Sequence, residues 1–196
     1  MSRSVTVVKV GGSLYDLPDL GSRLRRWLVE QVDSRLVLVP GGGKTADVVR
    51  HLDRCHNLGE ETAHWLALRS LTLNAHFLAS LLPSACVTGN VERFQLHWNK
   101  NELPILDVHE FARADEQRSD HLPHRWAVTS DAFAARVAVV LQARDLVLLK
   151  SITIPSEIDW TEAGRTGFVD AMLAEVLREA PADLRVRAVN FRRNEG

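Results

Sequence analysis

Residues 5–13, Val-Thr-Val-Val-Lys-Val-Gly-Gly-Ser, constrain this chain more than any other stretch. Val5, Thr6, Val7, Val8 and Val10 make a short β-branched run, apolar on both faces and ending at glycine, the pattern of a strand buried inside a parallel sheet. Lys9 interrupts that run. An unpaired ammonium in a core is costly or loses its proton, so a lysine near the end of a buried strand requires an anion beside it. Gly11 and Gly12 let backbone amides approach a ligand closely, and Ser13 is placed to cap a following helix. Lysine, open amides and a helix N-terminus converging on one point suit a phosphate.

The arrangement recurs at residues 36–44, Leu-Val-Leu-Val-Pro-Gly-Gly-Gly-Lys, where a second apolar run enters a glycine triplet. Two such loops in a small α/β chain are expected side by side at the carboxyl edge of a parallel sheet, where ligands bind in this architecture. Helical spacing of apolar residues predicts helices over 17–28, 44–58, 62–82, a stretch beginning at Ser130, and 167–180. Strands are predicted over 35–39, 85–88, 103–108, 146–149 and 184–191. Val48, Val49 and Leu52 are expected to face inward, and Ser130 to cap the helix that carries Asp131 in its first turn. Residues 109–125, charged and aperiodic with Pro123 near the end, read as a mobile loop. The alternation of strands and helices predicts a three-layer α/β/α sandwich with a mostly parallel central sheet, in a single domain over residues 1–196.

Composition removes several function classes. With 24 Lys and Arg against 25 Asp and Glu, the formal charge of −1 leaves no footprint for nucleic acid or an anionic membrane. No apolar run reaches the length of a signal peptide core or a membrane span. Cys55 and Cys86 are too few for a disulfide framework, so a reducing cytoplasm is expected. Partners must be argued from sites instead. The helix over 62–82, with Trp65 and Phe77 as core or subunit contacts, carries more apolar surface than one sheet face needs, which points to a homo-oligomer.

Two familiar motifs fail. Gly43-Lys44-Thr45 resembles the end of a P-loop, but the glycine required five residues before Gly43 is Leu38. Neither glycine loop has dinucleotide-binding spacing. His51, Cys55 and His56 share a helix and His121 and His124 a loop, yet zinc needs a fuller ligand set; they read as surface residues, and no metal site is assigned.

Three ordered motifs do fit together: Lys9-Val10-Gly11-Gly12-Ser13, Pro40-Gly41-Gly42-Gly43, and Thr129-Ser130-Asp131 leading into an alanine-rich helix and the strand ending at Lys150. Spanning about residues 5–154, they resemble the amino acid kinase family, which includes aspartokinase, acetylglutamate kinase, carbamate kinase, uridylate kinase and isopentenyl phosphate kinase. The segment 126–131 and the short chain are most similar to a small branch with a member in methanofuran biosynthesis. The resemblance implies ATP and Mg²⁺ as cofactors, with Lys9, Asp131 and Lys150 as catalytic residues. It implies Gly11, Gly12, Ser13, Ser130 and Lys150 at the nucleotide and Gly41, Gly42, Gly43 and Lys44 at the acceptor. Asp131 is expected to hold Lys9 and to touch Mg²⁺. Lys150 is followed by Ser151-Ile152-Thr153-Ile154, and a second cation is expected from Lys150, Lys44 or Arg165. The acceptor is expected to be a small phosphomonoester, foremost an aminomethylfuran-methanol phosphate. The alternatives are another kinase of the same fold or a non-catalytic nucleotide sensor.

Overall fold

The computed structural model describes residues 3–31, 33–155 and 157–193. Its strands are β1 (Ser4–Val10), β2 (Ser34–Pro40), β3 (Ala85–Thr88), β4 (Leu103–Leu106), β5 (Asp145–Lys150) and β6 (Arg185–Asn190). They form one sheet in the order β3-β4-β2-β1-β5-β6, and every pairing is parallel. The helices are α1 (Leu20–Val29), α2 (Gly43–His56), α3 (Glu60–Leu81), α4 (Phe94–Asn99), α5 (Val108–Asp115), α6 (Ser130–Val140), α7 (Trp160–Arg165) and α8 (Ala171–Arg178). No helix among the described residues is long and apolar enough to cross a membrane.

The period of two along a strand sorts the core into two layers. Val8, Val10, Leu38, Val147 and Leu149 point to the face covered by α1 and α3, where Leu20, Leu24, Ala75 and Leu78 meet them. Val7, Val37, Val39, Leu146 and Leu148 point to the other face, covered chiefly by α5, α6 and α8. Each fully buried Val or Leu contributes roughly 1.5–3 kcal/mol relative to exposure. By the same alternation Lys9 and Lys150 fall on the α6 face. α6 is buried from Ser130 through Ala138, so its first turn lies against the carboxyl ends of β1 and β5. Val10 pairs with Pro40 and Leu149, which brings the ends of three central strands to one level.

Several expectations need correction. Residues 109–125 are not a mobile loop: Val108–Asp115 is α5, and Asp107 caps it by accepting from the Glu110 amide at 3.1 Å. The signal was hidden because the cap ends a strand predicted to run to Val108 but closing at Leu106. The rest of the segment is tied down by Arg136, buried on α6, which donates to both carboxylate oxygens of Asp115 (2.8 and 3.0 Å) and of Asp120 (2.8 and 2.9 Å). The helix predicted over 167–180 is α8 alone, with α7 before it, because Asp170 caps a fresh helix by accepting from Leu173 N at 2.8 Å. The short α4 was also unread. Val48 and Leu52 face outward, 59% and 41% exposed, because α2 packs on α3 through Ala46 and Val49. Trp65 packs edge-on against His109 and His124, whereas Phe77 on α3 stays 37% exposed and meets Tyr15.

Because Asp115 is buried with Arg136, Arg136→Met leaves a core carboxylate whose nearest recorded cation is the exposed Arg118, at 3.7 Å. The variant is expected to lose about 3–5 kcal/mol in urea unfolding and to become cleavable by protease within residues 107–129. A loss below about 1 kcal/mol with unchanged proteolysis contradicts this anchoring role.

Candidate active site

The anion that Lys9 requires is Asp131. Lys9 Nζ lies 2.8 Å from Asp131 Oδ1, and Lys150 Nζ donates to Asp131 Oδ2 at 2.6 Å. Each carboxylate oxygen of Asp131 thus has its own ammonium group in close contact. All three side chains are nearly excluded from solvent. Burial alone raises the Asp131 pKa, but the two ammonium charges outweigh it and hold the carboxyl down at about 2. Burial, followed by the Lys9 charge, lowers the Lys150 pKa against the pull of Asp131. Two cations share one anion, so the triad itself carries a surplus positive charge in a poorly solvated place, offset in part by the Asp170 carboxylate behind it.

Asp170 stands behind the triad. Its amide donates to Asp131 Oδ2 at 3.3 Å, while its carboxylate accepts from Thr129 N, Thr129 Oγ1, Ala132 N and Leu173 N. It therefore caps α6 and α8 together and fixes the turn that aims Asp131. Burial, then the nearby Asp131 charge, raises its pKa. Ser130 is the first residue of α6 and Thr129 its cap position, so the expected Ser130 cap is replaced by Asp170. Nothing in the local sequence marks Asp170, which sits 39 residues away.

The two glycine loops pack backbone against backbone. A Cβ on Gly12 would overlap the Gly43 amide, and Gly43 itself adopts φ +55°, so side chains at either would force the loops apart. Not every amide is open, however. Gly11 N donates to Leu149 O at 2.9 Å and Gly41 N to Val10 O at 2.8 Å, so these two extend the sheet instead of cradling an anion. The amides of Gly12, Gly42 and Gly43 have no such backbone partner among the described residues, and the last begins α2, whose first turn leaves N–H groups open. Buried Asn74 on α3 holds the second loop, donating to Gly41 O (2.7 Å), Gly42 O (2.8 Å) and Thr45 Oγ1 (2.8 Å). The Tyr15 hydroxyl adds a bond to Gly41 O at 3.0 Å, and burial pushes its pKa up. A lone amide among the leucines and alanines of α3 was the available sign of Asn74.

Of the remaining expected residues, Ser13 does not cap a helix but bonds to the Ser151 hydroxyl at 2.9 Å, across from Lys150. Lys44 is exposed on α2, and Arg165 is engaged by Glu162. Lys150 is the cation that the triad takes up. Beside Lys9, Gly12, Gly42 and Gly43 opens a cavity of about 170 Å³, reached by Arg50, His64, Arg125 and Trp126, with Leu68 and Leu71 as apolar wall. Its lining includes no carboxylate. Arg50 lies over the Trp126 ring at 5.3 Å, and Trp126 Nε1 donates to Asp53 at 2.8 Å. None of these four polar or aromatic residues was singled out in the sequence as a ligand contact.

The amino acid kinase family profile matches residues 4–153. The chain belongs to the amino acid kinase family. It is 26% identical over 153 residues to the [5-(aminomethyl)furan-3-yl]methyl phosphate kinase of Methanocaldococcus jannaschii, covering 74% of this chain and 65% of that relative. Solved structures of the same fold include the uridylate kinase of Archaeoglobus fulgidus (TM-score 0.66, 18% identity, 94% of this chain and 90% of that one). The UMP kinase of Ureaplasma parvum gives TM-score 0.68 at 12% identity, covering 98% and 92%. The aspartate kinase of Synechocystis gives 0.63 at 16%, covering 94% of this chain and 38% of that one.

The triad makes a prediction about stability that needs no ligand. Lys9→Met leaves Asp131 paired with Lys150, whereas Asp131→Asn leaves two buried ammonium groups facing each other. Urea unfolding near neutral pH is expected to show a loss of about 3–5 kcal/mol for Asp131→Asn and about 1 kcal/mol or less for Lys9→Met. Because the folded Asp131 pKa lies below the ordinary 3.8, its stabilisation is present above that value and disappears as pH falls towards 2, a decline absent from Asp131→Asn. Equal losses in both variants contradict the shared-anion arrangement.

Proposed function

We propose that this chain is an ATP-dependent kinase that converts a small phosphomonoester into a diphosphate. The observation that carries the reading is the surplus buried cation of Lys9, Asp131 and Lys150 beside open glycine amides and a carboxylate-free cavity bearing Arg50 and Arg125. That is a place for clustered phosphates. The name of the M. jannaschii relative makes [5-(aminomethyl)furan-3-yl]methyl phosphate the leading acceptor.

An oxygen of the acceptor phosphate attacks the γ-phosphorus of ATP, the bond from that phosphorus to the β-phosphate oxygen breaks, and ADP leaves. The attacking oxygen is already ionised, so no general base is needed. Lys9 and Lys150 neutralise charge at the transferring group, while the Gly12, Gly42 and Gly43 amides orient the phosphates; positioning and charge compensation are most of what phosphoryl transfer asks of a protein. Asp131 acts as a positioning residue for both lysines. Its oxygens face ammonium groups and those of Asp170 accept N–H and O–H, so neither carboxylate offers a protein-built Mg²⁺ site. Mg²⁺, which would neutralise charge on the transferring phosphates, would then be held chiefly by the phosphates of ATP. The same reading takes the protein as a cytoplasmic homo-oligomer, supported by Val48, Leu73 and Phe77 exposed on α2 and α3.

Activity is tested by ADP release against free alcohols, amino acids and phosphomonoesters, among them the aminomethylfuran-methanol phosphate and its analogue lacking the amine. Phosphomonoesters are expected to react and their parent alcohols not. Lys9→Met is expected to lower kcat by about 100-fold or more. Arg125→Met is expected to raise the acceptor KM about tenfold with kcat nearly unchanged. A preference for a carboxylate over every phosphomonoester would sink the acceptor class, and unchanged turnover in Lys9→Met would sink the kinase reading itself.

A further inference from the structure

Away from this centre, three potential metal ligands meet at the edge of the sheet. Cys86 lies on the edge strand β3, His97 in the last turn of α4, and Glu102 immediately before β4, so one β-α-β crossover delivers all three. Their ligand atoms fall within 4.8 Å of one another. His97 Nδ1 is 2.6 Å from Glu102 Oε2 and 3.2 Å from Cys86 Sγ. The carboxylate and the sulfur therefore address the same ring nitrogen.

That convergence distinguishes the cluster from two more ordinary arrangements. A catalytic relay places the thiol and the carboxylate on opposite ring nitrogens, so that the proton taken at one is balanced at the other. A simple hydrogen-bond network gives each acceptor its own donor, but here a single N–H serves Glu102 while the sulfur faces the same nitrogen, and the thiol itself donates only across a long 3.8 Å to Leu103 O. Burial, reinforced by the Glu102 charge, raises the Cys86 pKa, so the free thiol is also a poor nucleophile. One cation placed among the three atoms would satisfy all of them at once.

We propose that Cys86, His97 and Glu102 form a binding site for a borderline divalent transition metal, with Zn²⁺ the best fit. Sulfur, imidazole nitrogen and one carboxylate oxygen suit Zn²⁺ and exclude Mg²⁺ and Ca²⁺, which take oxygen ligands. Zn–S and Zn–N bonds of about 2.3 and 2.0–2.1 Å at tetrahedral angles separate sulfur and nitrogen by about 3.6 Å and the nitrogen from a carboxylate oxygen by about 3.4 Å. The Cys86–His97 pair at 3.2 Å therefore opens by a few tenths of an ångström, and the His97–Glu102 pair at 2.6 Å parts further, by a rotation of the half-exposed Glu102 side chain. The fourth position is left to water. His97 and Glu102 are 21% and 36% exposed at their side chains, which gives an ion an entry path. Bound there, the metal staples edge strand β3 to the start of β4. With β4 and β2 between it and β1, the site is independent of the kinase reading.

The test uses the full chain, reduced and stripped with a chelator, titrated with Co²⁺ and followed by absorption, then with Zn²⁺ in competition with a chromophoric chelator. One Co²⁺ per chain is expected, with a sulfur-to-cobalt charge-transfer band that one Zn²⁺ removes. Cys86→Ser is expected to abolish the band. Glu102→Gln, which keeps the thiol, and His97→Gln are expected to weaken Zn²⁺ binding about tenfold or more, at least what losing a supporting partner of a metal ligand costs. Zn²⁺ is expected to raise the melting temperature of the parent and not of Cys86→Ser. Cys55→Ser, whose sulfur meets His51 Nε2 at 3.6 Å and belongs to no three-ligand cluster among the described residues, serves as the control and should behave as the parent. Absence of the charge-transfer band in the parent, or a band lost with Cys55 instead of Cys86, overturns the proposal.

Discussion

One carboxylate shared between two buried ammonium groups is the constraint on which the rest depends. Buried ion pairs are weak contributors to stability, since desolvation offsets most of the Coulomb attraction, and an arrangement with a cation in excess is worse than balanced. The fold nevertheless invests heavily in this one. It places Lys9 one residue before the end of β1 and Lys150 at the end of β5, lays α6, buried from Ser130 through Ala138, beneath them, and caps that helix from a distance with Asp170. The imbalance is explained by a ligand that brings negative charge.

The glycine loops answer the second need of such a ligand, access to backbone amides. Gly12 and Gly43 approach closely only because neither has a side chain; Asn74 holds the second loop by its carbonyls and the Tyr15 hydroxyl holds Gly41 by both carbonyl and amide, while the Gly42 and Gly43 amides keep no backbone partner among the described residues. Gly11 and Gly41 serve differently, continuing strand hydrogen bonding past Val10 and Leu149. Thus one glycine motif divides into residues that hold the sheet together and residues that face the ligand.

What was legible in the sequence follows from range. Strands β1, β2 and β5 were readable because burial on both faces leaves continuous apolar runs, and Lys9 stood out against that background. Its pairing with Asp131 could be expected because a lysine there needs an anion. Asp170, Arg136 and Asp115 were not legible, because each acts through partners brought near only by folding: Asp170 and Asp115 look like ordinary polar helix ends, and Arg136, alone among the apolar residues of α6, does not reveal which carboxylates it meets. Val48 and Leu52 misled because an apolar stripe does not say whether a sheet or a neighbouring helix will cover it. The cavity beside Lys9 was missed for a similar reason: Arg50, Arg125 and Trp126 come from α2 and from a segment whose charge reads as solvated loop.

The central claim, that the triad and loops bring two sets of phosphates together for transfer, is tested most directly by phosphorus NMR of the protein with Mg-ATP and the furan-methyl phosphate. The account predicts ADP and the acceptor diphosphate growing together in equal amounts, with no orthophosphate beyond the protein-free control. ADP accompanied only by orthophosphate, or ATP bound and unconverted with every phosphomonoester, would contradict it.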